Sequence, residues 1–515
     1  MSSTSRAVAQ APASSADGYK IEEIRLGLMH AKTESTPLVS RDGRHVAYVA
    51  VKVPVLAPGQ VEILGPPGIA SVFMDGQAGA AYSGFGVDNV VLSSDGRHLA
   101  YAATDGKNLF VVLDARAGAG FDGIGNGLTL SPDGEHLVYE AERSAKWFVV
   151  VDGQESQVWD DVVSGAVFSS DSKHVAYEAK GGGRWFVVVD GKVGPGFDRI
   201  GQGLTFSPDG KHVAYWAQTG EKVFVVVDGE PSGAYDSNGG LVFSPDGEHL
   251  AYSAKMGKKW SVVVDGHVGS EYAAMVGPSL VFSPDSKHVA FVAGAGNGPF
   301  VVVDGRAEGT DYDAAGAALT FSPDSKRVAY AARKGKKWFV VVEEKAGPGF
   351  DGIGQSLTFS PDGKHVAYRA RTGDKWFVLV DGESSGAYDS IGDLVFSPDG
   401  RHLAYWARSG QKLSMIVDGQ AGPAYDAGRS LPVFSPDSRH LAYLAKRGGL
   451  WSMVVDGRAV AEYGKILNEF PIFGPDDSLE FLAVREDQES RAASHAPFGS
   501  MISGSLYRVR YFLAP

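Results

Sequence analysis

Ten of the thirteen histidines share one position of a recurring segment: His45, His98, His136, His174, His212, His249, His288, His365, His402 and His440. Imidazoles brought to a common point would suit zinc, whose ligands stand about 2 Å away at tetrahedral corners. Equivalent positions of successive repeats are related by rotation, however, and converge only beside an axis. Position 327 carries Arg and breaks the series. Each histidine is therefore read as structural, bonding a backbone or aspartate partner within its own repeat, and no metal site is assigned. The recurrent aspartates of SPDG and VDG read the same way, because Asp in a turn accepts from nearby backbone N–H groups. No D-x-[DN]-x-[DN]-G calcium loop is present.

Other signatures fail on context. G-x-G-x-x-G occurs from Gly118 to Gly123 and again from Gly347 to Gly352. A dinucleotide fingerprint needs a strand before it and a helix after it, and here both copies lie between two strand-like runs. Neither G-x-S-x-G nor H-E-x-x-H is found. No catalytic residue and no cofactor are assigned. Trp147, Trp185, Trp260, Trp338, Trp376 and Trp451 each stand at the start of a strand-like run. Their faces would suit sugars, but packing between repeats is the preferred expectation.

The elements that position these residues repeat along the whole chain. FSPDGKHVAY and its variants recur twelve times, with turn aspartates from Asp42 and Asp95 to Asp437 and Asp476; after a first interval of 53 residues the spacing is 37 to 39. In residues 203–240, Leu204-Thr205-Phe206 is a short apolar run closed by the turn Ser207-Pro208-Asp209-Gly210. His212 to Ala217 and Val223 to Val227 are two further strands, the latter rich in β-branched residues, and the stretch around Gly233 to Asp236 supplies a fourth. No helical period is present. The apolar WFVVV run implies a strand covered on both faces, as in a sheet lying between two other blades of a β-propeller. The fold class expected is all-β, a propeller of about twelve four-stranded blades in two rings of about six or in one large ring.

SPDGKHVAY followed by VVVDG resembles the WD40-like (PD40) repeat of TolB-type β-propellers over roughly residues 35–485. The resemblance implies the propeller fold and says little about function, since such blades occur in envelope proteins and in peptidase relatives alike. Neither an export signal nor a hydrolase domain accompanies the repeats here.

A net charge of −13 argues against binding a phosphate backbone or an anionic membrane surface. The absence of cysteine excludes disulfides, thiolate metal sites and a cysteine nucleophile. No apolar run approaches the roughly 20 residues that span a bilayer. Residues 1–18 read as a disordered tail, not a signal peptide, which favours the cytoplasm. Two rings would place blades 1–6 in 19–270 and blades 7–12 in 271–515; one ring would run through 19–515.

The last repeat offers three strands, Phe470 to Phe473, Leu479 to Val484 and Leu506 to Phe512, and Tyr19 to Leu26 is expected to complete it as the fourth. Two insertions, residues 51–70 and 486–505, lengthen the same connection in the first and last repeats. If those repeats are neighbours, the two loops form one non-repetitive patch. Val55, Leu56, Gln60, Ile63, Arg491, His495, Phe498 and Met501 are its candidate partner-binding residues. The expected function is a non-enzymatic scaffold for a protein or peptide partner; the alternative is a propeller that binds a carbohydrate or small ligand, or catalyses, in its axial channel.

Overall fold

The computed structural model describes residues 20–32, 37–51, 70–163, 165–201, 203–275, 279–295, 298–308, 311–468, 471–474, 478–485 and 501–512. Every element with a ladder is a strand, and the strands form twelve antiparallel sheets of the order a-b-c-d. Blades 1 to 11 span 38–82, 84–117, 123–155, 161–193, 199–231, 237–272, 274–308, 314–346, 352–384, 390–425 and 427–463; blade 12 combines 465–512 with 20–32. In six sheets strand a is broken into two short pieces that both pair with strand b.

Blade 5 shows how the sequence dictates the sheet. Strands b (Val213–Thr219) and c (Lys222–Val227) pair from Ala214↔Val227 to Thr219↔Lys222. Asp228 and Gly229 then take φ of 50° and 85°, which a two-residue type I′ hairpin requires at both positions. Successive side chains of a strand point to opposite faces. Tyr215, Ala217 and Val226 accordingly pack with Val187 of blade 4, while Ala214, Trp216 and Val225 pack with Leu250, Tyr252 and Val263 of blade 6. The apolar run of strand c is thus buried on both sides, as expected, and strand b is buried on both sides as well.

The described chain divides into two compact units, one formed by 1–157 with 425–515 and the other by 158–424. Both chain ends lie in the first. There Lys20–Lys32 pairs antiparallel with Met501–Phe512, from Lys20↔Phe512 to Lys32↔Met501, with a bulge between Arg25 and Gly27. The N-terminal strand is strand d of blade 12, as expected, and it runs six residues beyond Leu26. Two boundaries are corrected. Residues 501–505 belong to strand c of blade 12, because Lys32 to Leu28 offer them ladder partners, and Val51 and Ala70 close strands b and c of blade 1. The inserted connections are therefore 52–69 and 486–500.

Candidate functional site

In blade 5, Ser207 Oγ donates to Asp209 Oδ1 at 2.6 Å, and His212 N–H donates to Ser207 Oγ at 3.0 Å. The imidazole then reaches across to the c–d turn, with Nδ1 2.7 Å from Asp228 Oδ2, while Val213 N–H donates to Asp228 Oδ1 at 2.9 Å. One aspartate in left-handed backbone thus ties the start of strand b to the end of strand c. All ten repeat histidines make this bond to their own blade's turn aspartate, at 2.6–2.8 Å. They are structural, as their spacing implied. No group of three His, Cys, Asp or Glu among the described residues could hold a metal ion. Blade 8 departs from the pattern at both ends of the link, with Arg327 for the histidine and Glu343 for the aspartate.

The aspartate bond raises His98, His136 and His249 above the ordinary histidine range. A raised folded pKa contributes stability that is complete below about 6.5 and is lost as pH rises through the folded value. The melting temperature is expected to fall between pH 6 and 8.5. The triple variant His98→Gln, His136→Gln, His249→Gln should have a flatter profile there, measured by differential scanning fluorimetry. An unchanged slope would refute the assignment. The turn aspartates act at the other end: serine and backbone N–H bonds lower Asp246 and Asp399, and that stability is lost as pH falls below the carboxylate range.

The tryptophans are half-buried, and a basic side chain of strand b lies over several of them: Lys180 over Trp185, Arg333 over Trp338, Arg371 over Trp376 and Lys446 over Trp451, at 5.3–6.0 Å. Trp451 also packs into the core shared by blades 11 and 12. Both glycine fingerprints lie between strand d of one blade and strand a of the next, with no helix following.

Blade 12 is chemically unlike the repeats on both sides, where it meets blade 1 and, through Glu23, Tyr463 and Arg485, where it meets blade 11. Val46 and Tyr48 of blade 1 are buried with Leu482, Val484 and Leu506 of blade 12. Arg44 Nε is 2.7 Å and its Nη2 3.1 Å from the carboxylate of Glu480, a forked pair between the two blades. Asn468 donates to Gly43 O and accepts from Leu482 N–H. Glu23 Oε1 accepts from Tyr463 Oη at 2.7 Å and from Arg485 Nη2 at 2.8 Å, and the Arg485 guanidinium lies over Tyr463 and Tyr507. The two inserted connections leave strands b that end at Val51 and Arg485 in these adjacent blades. Val55, Leu56, Gln60, Ile63, Arg491, His495 and Phe498 lie outside the described residues. Met501 begins strand c of blade 12 opposite Lys32.

Twelve four-stranded antiparallel blades define a β-propeller. No protein-family model matches the chain. No curated protein matches it either. Solved structures resemble parts of the chain at low identity and low TM-score. A eukaryotic initiation factor is 13% identical, covering 63% of this chain and 95% of its own, with a TM-score of 0.36. TolB from Acinetobacter baumannii is 15% identical, covering 50% and 77%, with a TM-score of 0.24. A dihydro-heme d1 dehydrogenase is 14% identical, covering 65% and 72%, with a TM-score of 0.27. These likenesses extend to the fold alone. No helix among the described residues is long and apolar enough to cross a membrane.

Proposed function

We propose that the chain is a non-enzymatic binding scaffold that engages a protein or peptide partner at the junction of blades 12 and 1. The observation that carries this reading is the meeting of two irregular blades. Both long b–c connections leave adjacent sheets whose strands b pack side by side, Val46 and Tyr48 against Leu482 and Val484. The b–c connections of the other blades are only two to four residues long, and such short turns offer little for a selective partner to recognise. Binding residues concentrate in loops held by a rigid scaffold.

The test is an affinity capture from source cells with the intact chain and with a variant whose residues 487–500 are replaced by a two-residue turn. That deletion stops short of the ladder that begins at Met501. A stoichiometric protein lost with the deletion is the expected result. Equal capture by both chains overturns the placement, and stabilisation of the chain by a glycan without any captured protein overturns the partner class.

A further inference from the structure

A half-open cavity of about 420 Å³ lies where blade 7 meets blade 8, and its lining includes Asp311, Tyr312, Tyr330, Phe339, Glu344 and Lys334. Its volume is that of a small-ligand site. Because the chain repeats, every other blade serves as a control for which of these residues the fold needs and which it does not.

Tyr330 occupies a position that is tyrosine in nearly every blade. Several of its equivalents are satisfied: Tyr252 Oη lies 3.1 Å from Tyr235 Oη, and Tyr405 Oη lies 3.0 Å from Ser385 Oγ. Tyr330 is 1% exposed and its hydroxyl has no hydrogen-bond partner among the described residues. The Tyr48 and Tyr215 hydroxyls are also unpartnered, but burial alone perturbs those two. Around Tyr330, Glu308 and Glu344 add to burial in raising the phenol.

Neither glutamate is what the repeat places there. Glu344 is the second residue of the c–d turn, where the other blades have Gly76, Ala115, Gly153, Gly191, Gly229, Gly266, Gly305, Gly382, Gly419 and Gly457. It takes φ 61°, a left-handed conformation that costs an L-residue about 1 kcal/mol or more. Glu308 lies on strand d of blade 7, at the position of Gly194 and Gly347, where a Cβ would stand 3.5 Å from the hydroxyl of the next blade's tyrosine. Two acids thus converge, from two blades, on one buried phenol, and a third, Asp311, lines the same cavity. Neither Glu308 nor Glu344 has an ion pair among the described residues. By contrast Glu155, the acid facing Tyr139 in blade 3, is held by both guanidinium nitrogens of Arg143.

The carboxylates do not form a group close enough to hold a metal ion. The remaining walls are aromatic, with the Tyr312 and Phe339 rings 6.5 Å apart and tilted by 42°. Negative charge bordering aromatic faces attracts a charge spread over an organic group. Two carboxylates of the lining, those of Asp311 and Glu344, stand against one ammonium, that of Lys334, which is exposed at the rim, and Glu308 adds its charge from behind Tyr330.

We propose that this cavity binds an organic cation, an alkylammonium or guanidinium group, against the Tyr312 and Phe339 rings, with Asp311 and Glu344 as counter-charges, the Tyr330 hydroxyl as an added acceptor and Glu308 reinforcing the negative charge from the neighbouring blade. The site is independent of the blade 12–1 junction. The source is either a free polyamine or a basic side chain of another protein.

The experiment is isothermal titration of the full chain with spermidine, Nα-acetyl-lysine amide and Nα-acetyl-arginine amide, with Nα-acetyl-glutamine amide as the neutral probe. Two variants, Glu344→Gly and Glu308→Gly, restore the residues the repeat itself uses, so they keep the fold, as their melting temperatures would verify. Saturable binding of a cation, weakened about tenfold or more in either variant and absent for the neutral probe, is expected. Tighter spermidine identifies a polyamine site, and tighter arginine or lysine amide a side-chain site. No saturable cation binding, or equal binding by both variants, overturns the proposal.

Discussion

A chain beginning at residue 33 is expected to lose blade 12 and, with it, the unit that holds both chain ends. Strand d of blade 12 pairs with strand c along twelve residues, and its removal leaves Met501–Phe512 as a long unpaired edge, a ready template for aggregation. Ile21 covers the core that contains Phe481 and Tyr511, and Leu26 covers the one that contains Leu482 and Leu506. Glu23 is the acceptor of the fully buried Tyr463 hydroxyl, and an orphaned buried hydroxyl costs about 1–3 kcal/mol. Together with the apolar burial lost at Ile21 and Leu26, at most about 1.5–3 kcal/mol each, the deficit is several kcal/mol, a large part of a typical stability of about 5–15 kcal/mol. The shortened chain should be aggregated or molten, and a peptide of residues 19–33 added during refolding should restore it. A shortened chain melting within about 2 °C of the intact one would refute the closure as a source of stability.

Gly316→Ala is expected to be the most damaging single-atom addition in the residues 158–424. Gly316 lies in strand a of blade 8 (Ala314–Phe321) with φ 87°, and a Cβ there would stand 2.0 Å from Val292 Cγ2. Val292 is itself buried beside Val301, Ala315, Tyr330 and Val341, so it has nowhere to retreat. Overpacking costs about 1–3 kcal/mol and the left-handed conformation about 1–2 kcal/mol more. Gly257→Ala isolates the backbone part, since Gly257 has φ 60° with open space around it. Urea unfolding should place Gly316→Ala about 2–4 kcal/mol below the parent and Gly257→Ala about 1 kcal/mol below it. Equal effects of the two substitutions would show that the blade 7–8 packing yields freely.

The fold was legible because one turn recurs. Ser-Pro-Asp-Gly or a close variant, every 37 to 39 residues after the first interval, marks strand ends whatever the side chains between them do, and the strand-like run at Tyr19 announced the shared sheet. The extra ladder through 501–505 was not legible, because Ser503, Gly504 and Ser505 carry no strand signal of their own and pair only because His30 to Leu28 lie opposite. The histidine link was half legible. Its aspartate stands sixteen residues on in nine of the ten cases, but the inserted connection of blade 1 moves it to Asp75, thirty residues from His45. The acids around Tyr330 were missed because they come from two blades. Their signal was nonetheless present: at 344 and 308 a charged residue replaces one that is small in nearly all other repeats.

The shared sheet also sets a timetable for synthesis. Lys20 leaves the ribosome nearly five hundred residues before Phe512, its ladder partner. At about 5–20 residues per second, roughly half a minute to a minute and a half passes in which the N-terminal strand has no mate. Residues 158–424 are contiguous and can finish folding during that interval, whereas the other unit cannot complete blade 12 until Met501–Phe512 has been made. The chain is therefore most vulnerable to intermolecular strand pairing while it is still being made, and its first strand is the exposed party throughout.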